Sequence, residues 1–275
     1  MHISANFDAG NIEVISLEDK QDVQLKIRPD FGDEFFQWFN FRLTGEVGEQ
    51  YVLNIVNAGE ASYVEGWNDY QAVASYDRDY WFRLPTTYKD GKLSIEVELE
   101  CETIQIAYFA PYSYERHQDL LAAVQVHPLV TLEHLGETLD KRDLTLVKVG
   151  DGDDSKPNIW ITARQHPGET MAEWLIEGLL YSLLDGDNPT GKRLLEKANL
   201  YIVPNMNPDG SARGHLRTNA VGTNLNREWE SPSLEKSPEV FHVMKKMDET
   251  GVDLFYDVHG DEALPYVFLA GSQGT

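Results

Sequence analysis

Two changes of texture along the 275 residues predict two fold classes in one chain. Residues 1–112 are expected to form an N-terminal antiparallel β-sandwich. Residues 113–275 are expected to form an α/β domain on a mixed, largely parallel sheet with helices on both faces. Three observations carry this. The first hundred or so residues hold short β-rich runs separated by Gly, Asn, Asp and Pro clusters; a proline at 111 is followed by helical periodicity; and from residue 158 strand-like and helix-like segments alternate.

Taken in order, the runs VQLKIRP, FFQWFNFRLTG, YVLNIVNAG, YWFRLP, KLSIEVELE and TIQIAYFAP read as strands of the sandwich. PYSYERHQDLL, residues 111–121, closes it and turns helical, which places the boundary near Tyr112. TLEHLGET and DLTLVKVG read as paired strands, with DGDDSKP as their exposed exit loop. As a calcium loop that stretch fails, because Ser155 and Lys156 stand where an oxygen ligand and a glycine are needed, and Thr162 where a glutamate is needed. NIWITARQ is a buried strand. TMAEWLIEGLLYSLLDG follows as a helix with Met171, Trp174, Leu175, Leu179, Leu180 and Leu183 at the helical period, and Thr170 with Glu173 as a capping box. GKRLLEKA is a short helix feeding the strand NLYIVPN. A long loop from Met206 to Trp229 then opens on an Asn-Pro-Asp-Gly turn. SPEVFHVMKKMDETG, with Pro238 in its first turn, feeds the last strand, VDLFYDVHG.

Composition bounds the function. With 41% hydrophobic residues there is material for a large core. A net charge of -23, spread along the chain, repels phosphate backbones and anionic lipid, so neither nucleic acid nor membrane is expected as a partner. Cys101 is the only cysteine, which excludes an intrachain disulfide and a Cys-based zinc cage. The start has no basic region followed by an apolar one, and no later apolar run approaches the length of a membrane span, so a cytoplasmic protein is expected.

The segment RQHPGET, 164–170, sets His166 and Glu169 just past the carboxyl end of one strand, and His259 stands at the carboxyl end of another. Open α/β sheets bind ligands at that edge. Two strands distant in sequence can lie side by side and bring the three side chains together as a site for one zinc ion, with a fourth position left for water. The loop between them carries Arg213, Arg217 and Arg227 and the amides Asn219, Asn224 and Asn226. Arginine forks hold carboxylates and polarised carbonyl oxygens.

HPGE, then NPDG followed by R-x4-G and NLNR, then DVHGDE, together resemble the zinc metallocarboxypeptidases of the carboxypeptidase A type, in their cytosolic carboxypeptidase branch. WFNFRLTG and YFAPYSYERHQDLL are similar to the sandwich that precedes the catalytic domain in that branch, so the resemblance runs across essentially the whole chain. It implies that His166, Glu169 and His259 hold one Zn2+. Arg217 would polarise the scissile carbonyl and stabilise the oxyanion; Asn226 and Arg227 would grip the free α-carboxylate of a peptide or protein C-terminus. The metal would lower the pKa of its water toward about 7, making it the nucleophile of C-terminal peptide-bond hydrolysis.

The sequence departs from the family at Asn224, where aspartate is usual. The family's general-base glutamate lies beyond the last zinc histidine, on a later strand, whereas the chain as given ends at Thr275, sixteen residues after His259. The expectation is a piece of a longer protein, with Glu262 not serving as that base. Two other readings compete: a zinc amidohydrolase of small N-acyl amino acids, of the aspartoacylase and desuccinylase type, against which the NPDG segment and the leading sandwich argue; and a non-catalytic binding protein. Residue preference and oligomeric state are not legible.

Overall fold

The computed structural model describes residues 1–264 and 266–271. The N-terminal unit contains β1 (His2–Ser4), β2 (Glu13–Ser16), β3 (Val23–Lys26), β4 (Asn40–Thr44), β5 (Gln50–Ile55), β6 (Val73–Ser75), β7 (Phe82–Arg83), β8 (Thr86–Lys89), β9 (Lys92–Glu98) and β10 (Thr103–Ala107). They form two five-stranded sheets, β1-β4-β10-β6-β7 and β2-β3-β5-β9-β8. Period-2 alternation decides what each strand buries: Leu93, Ile95 and Val97 of β9 face Phe41 and Leu43 of β4 and Ile104 and Ile106 of β10 across one core. The sandwich is not purely antiparallel, because β3 pairs with β5 in parallel. The chain crosses to β4 in the opposite sheet between them and re-enters beside β3 from the same end, which a tight hairpin could not do.

The second unit runs α1 (Tyr114–Val124), β11 (Val130–Glu137), β12 (Asp143–Val149), β13 (Asn158–Ala163), α2 (Thr170–Leu184), α3 (Pro189–Leu195), β14 (Asn199–Val203), α4 (Pro208–Arg213), α5 (Pro238–Thr250) and β15 (Leu254–Val258). Its sheet order is β11-β12-β14-β13-β15. Only the β13 pairings with β14 and β15 are parallel; β11-β12 and β12-β14 are antiparallel, so the sheet is evenly mixed rather than largely parallel. A short link between β11 and β12, closed by the Thr138 N–H to Arg142 carbonyl bond at 2.9 Å, can only reverse the chain. Helices do cover both faces. Leu121, Ile176, Leu180 and Leu195 of α1, α2 and α3 pack on Val147, Ile161 and Ile202. Val240 and Val243 of α5 pack with Trp160 and Val203 on the other side. β13 is thus apolar on both faces.

Three local expectations are corrected. Leu175 points to solvent, 50% exposed, while Ala172 and Ile176 take the inward face of α2. Thr170 and Glu173 form no capping box: Glu169 precedes the helix without a side-chain cap, and Glu173 is buried in an ionic network described below. The Asn-Pro-Asp-Gly segment starts a helix rather than making a free turn, with Asn207 accepting from the Gly210 N–H at 3.0 Å and Pro208 in the first turn.

Gly210 and Gly214 are where α4 meets its neighbours. A Cβ on Gly210 would lie 2.4 Å from the Thr218 carbonyl oxygen and 2.5 Å from Pro167. Gly214 ends α4 at φ +72°, and a Cβ there would lie 2.8 Å from the Gly10 carbonyl of the sandwich. The two units are also joined by Asn11 Nδ2 donating to the Gly214 carbonyl at 2.9 Å and the Ala9 N–H donating to the Ala212 carbonyl at 2.9 Å.

The inward face of α5 carries one acid. Glu239 is 0% exposed, with Oε2 3.4 Å from Asn219 Nδ2 and Oε1 without a partner among the described residues. Burial, with Asp209 and Asp140 adding to it, pushes its pKa up to about 8 from an ordinary 4.5. The folded state therefore holds a proton that the unfolded chain has released over that interval. Its contribution to stability is present below the unfolded value and is lost as pH rises through about 8. Glu239→Gln removes the titration, so the variant gains stability on the wild type between pH 5 and pH 8.5 in denaturant titrations. Parallel stability curves for the two proteins across that range would refute the assignment.

Candidate metal centre and active site

β13 ends at Ala163, and the next residue turns the chain: Arg164 sits at φ +57°. Its side chain, 1% exposed, folds back into its own loop. Nε donates to the Pro167 carbonyl at 3.0 Å, and Nη1 to the Tyr112 carbonyl and to Glu173 Oε2, both at 2.7 Å. Glu173, fully buried, also lies 2.6 Å from His117 Nδ1 through its other oxygen and accepts from Asn205 Nδ2 at 3.1 Å. From outside, Asn207 Nδ2 donates to the Gln165 carbonyl at 3.0 Å, and the Gly168 N–H to the Leu216 carbonyl at 2.8 Å. Residues 164–169 are pinned on every side, so the side chains they carry are pre-positioned.

Because β13 and β15 are parallel neighbours, their carboxyl ends bring His166, Glu169 and His259 together. One ligand atom from each lies within 4.8 Å of the others. His166 Nδ1 is 2.6 Å from Glu169 Oε1, and His259 Nδ1 is 2.9 Å from Glu169 Oε2. The outer nitrogens are held as well. His259 Nε2 is 2.7 Å from Asp257 Oδ2, an acceptor-only carboxylate, and His166 Nε2 is 3.2 Å from Asn224 Oδ1, which also accepts from the Asn226 N–H at 3.1 Å. Acceptors at both Nε2 atoms leave both Nδ1 atoms facing inward as candidate ligands, the outer arrangement that orients metal-bound imidazoles. A tetrahedral zinc with bonds of about 2.0–2.1 Å separates its ligand atoms by about 3.3 Å, within reach of this cluster by small rotations. Two nitrogens and a carboxylate suit the ion.

Electrostatics agree with that chemistry. Burial works against the charge of Glu169, but hydrogen bonds with His166 and His259 prevail and hold its pKa down to about 2. Burial likewise opposes the charge of His259, and Asp257 with Glu169 raises it to about 10. The proton on the inward nitrogen of His259 is one that metal binding releases.

The loop residues divide into two groups. Arg217 lies in the loop that meets the 164–169 segment, where the Leu216 carbonyl accepts from the Gly168 N–H, and its Nη1 donates to Tyr63 Oη of the sandwich at 2.7 Å. Asn224 touches His166, and the short 3-10 turn Leu225–Arg227 follows it, with Arg227 exposed and Nη1 donating only to the Asn226 carbonyl at 3.0 Å among the described residues. Arg213 instead grips Asp140 at 2.7 and 2.8 Å, and buried Asn219 donates to the Lys236 carbonyl, so both are structural. Glu262 packs against Gly66 of the sandwich, where burial first and the Glu169 charge second push its pKa up to about 7. Sequence reasoning passed over Asp257, Tyr63 and Asp30. Asp257 had a signal, standing two residues before His259 on the same face of a strand. Tyr63 and Asp30 had none, since they sit in another unit.

Comparison with known proteins bears on this arrangement. The model described as "Zinc carboxypeptidase" matches residues 118–269, and the one described as "Cytosolic carboxypeptidase N-terminal domain" matches residues 3–109. A solved structure from Shewanella denitrificans is 76% identical, with a TM-score of 0.97 over 98% of this chain and 72% of that one. A metallo-carboxypeptidase from Pseudomonas aeruginosa, solved in complex with (2-guanidinoethylmercapto)succinic acid, is 47% identical with a TM-score of 0.93 over 97% of this chain and 71% of that one. Cytosolic carboxypeptidase 6 of Mus musculus is 29% identical over 98% of this chain, which spans 54% of that relative.

Proposed function

Since the chain belongs to the zinc carboxypeptidase family and carries that family's cytosolic carboxypeptidase N-terminal domain, we propose that it hydrolyses the C-terminal peptide bond of peptides or protein tails in the cytoplasm, with one zinc ion held by His166, Glu169 and His259. The observation that carries this reading is the convergence of those three side chains at one sheet edge, with Arg217 and the Asn224–Arg227 turn alongside. When bound, zinc supplies Lewis acidity toward the scissile carbonyl and an acidified water. The chain's own residues do the rest. Asp257 and Asn224 keep the two imidazoles in register by accepting from Nε2. Arg217 donates to the carbonyl oxygen as negative charge develops on it, and its guanidinium, facing a phenol rather than a carboxylate, keeps its full charge for that task. Asn226 and Arg227 receive the α-carboxylate, which only a chain end offers; the exposed Arg227 fork, with no carboxylate partner among the described residues, supports this role. The succinic acid derivative bound by the Pseudomonas relative is a dicarboxylate, chemistry in keeping with such a grip.

Mass spectrometry of a peptide library with free and amidated C-termini, incubated with the zinc-loaded full-length protein, tests the reading. The expected result is stepwise loss of single C-terminal residues, blocked by amidation and absent with His166→Ala. Turnover of N-acyl amino acids with no release from any free peptide would overturn it.

A further inference from the structure

Arg217 reaches the site from a loop of the α/β unit, yet the groups that hold it come from the sandwich. Asp30, 3% exposed, accepts from three consecutive backbone N–H groups, Leu216 at 2.6 Å and Arg217 and Thr218 at 2.8 Å, and from Thr218 Oγ1 at 3.0 Å. One carboxylate thereby sets the backbone of the arginine, as anions do in nests of successive amides. His215 fastens the same turn, with Nε2 accepting from the Phe31 N–H at 3.1 Å and Nδ1 3.0 Å from the Thr218 carbonyl. At the other end of the side chain, Nη1 donates to Tyr63 Oη at 2.7 Å, and the guanidinium carbon lies 5.5 Å from the Phe35 ring centre and 5.9 Å from that of Tyr63.

Tyr63 is itself held in place. Its N–H donates to Gln37 Oε1 at 2.7 Å and its carbonyl accepts from Gln37 Nε2 at 2.9 Å, while that buried amide also reaches Tyr108 Oη at 3.1 Å. Gln37 is 0% exposed. Such a two-way backbone clamp has no use for a free surface loop; it fixes where the phenol oxygen stands. A neutral acceptor orients the guanidinium without cancelling its charge, as a carboxylate would. Burial keeps the phenol protonated by raising its pKa, although Arg217 works in the opposite direction.

We propose that Tyr63, backed by Gln37, is a positioning residue for Arg217, so that the sandwich completes the active site rather than only preceding it. This rests on the oxyanion role given to Arg217 above. The test uses four forms of the zinc-loaded full-length protein: wild type, Tyr63→Phe, Arg217→Ala and the double variant. Steady-state hydrolysis of a C-terminally free peptide and calorimetric binding of a phosphonate peptide mimicking the tetrahedral intermediate are measured together with zinc content and melting temperature. Tyr63→Phe keeps the ring and the fold. It is expected to lower kcat about tenfold with KM unchanged, to weaken the phosphonate by a similar factor, and to leave zinc content and melting temperature as in the wild type. In the Arg217→Ala background it is expected to add nothing, because its effect passes through the arginine. Wild-type kcat in Tyr63→Phe alongside a slow Arg217→Ala overturns the proposal and spares the oxyanion role. Equal losses in both backgrounds also overturn it, by showing that Tyr63 acts independently of the arginine. An Arg217→Ala protein as fast as the wild type removes the oxyanion role and the proposal together.

Discussion

Glu169→Gln is expected to raise the zinc dissociation constant by about two to three orders of magnitude and to abolish hydrolysis at zinc concentrations that saturate the wild type. Four-ligand zinc sites bind with about 10–16 kcal/mol, so one ligand of an even share is worth about 2.5–4 kcal/mol, which is that change in affinity. The glutamine retains the shape, but it gives up the charge that both histidine Nδ1 atoms face and one of the two oxygens that meet them. It also weakens the bond from the Gly260 N–H to Oε2, now 2.8 Å, which ties the end of β15 to the start of α2. Chelator competition gives the affinity, elemental analysis the stoichiometry, and melting of the metal-free forms the control for folding. A glutamine variant that binds zinc as the wild type does would remove Glu169 from the ligand set.

The second large effect concerns stability. Arg164→Met is expected to destabilise the fold by about 3–5 kcal/mol, the cost of leaving a buried carboxylate without its cation. Arg164 and Glu173 are 1% and 0% exposed, and no solvent is at hand to take over from the guanidinium. The substitution also frees the Pro167 and Tyr112 carbonyls and releases a loop that holds a left-handed residue. Adding Glu173→Leu removes the stranded charge, so the double variant is expected to recover part of the loss, although His117 and Asn205 then lack their partner. Urea denaturation of the three proteins measures both steps. A single variant within 1 kcal/mol of the wild type would show that the network is not what holds the loop.

Sequence alone determined the class of each unit, most of the strands and helices, and which three side chains converge at the sheet edge as candidate ligands. These rest on local rules: period-2 alternation makes a strand bury one face, the helical period makes a helix bury one stripe, and a strand's carboxyl end delivers the residue that follows it. HPGE and DVHGDE were legible because the candidate ligands sit within a few residues of the strand ends that aim them. Local rules also misled. Thr170 and Glu173 have the spacing of a capping box, but a buried carboxylate 2.7 Å from Arg164 and 2.6 Å from His117 gains more from those partners than from a helix end. Asn-Pro-Asp-Gly has turn chemistry, yet Asp209 accepts from Thr138, Asp140 and Arg142 across the β11-β12 link and the segment winds into α4. The parallel pairing of β3 with β5 and the even mix of the second sheet depend on which strands meet, which no periodicity encodes. Tertiary structure alone decided what surrounds the candidate ligands. Asp257 and Asn224 became the acceptors of the two outer imidazole nitrogens, and Arg213 was drawn away to Asp140 while Arg217 was tied to the sandwich. Asp30 and Tyr63 do this from more than 150 residues away in the chain. Hydrogen bonds of that kind join groups whose only relation is that two separately folded surfaces bring them within about 3 Å, and sequence spacing carries no record of it.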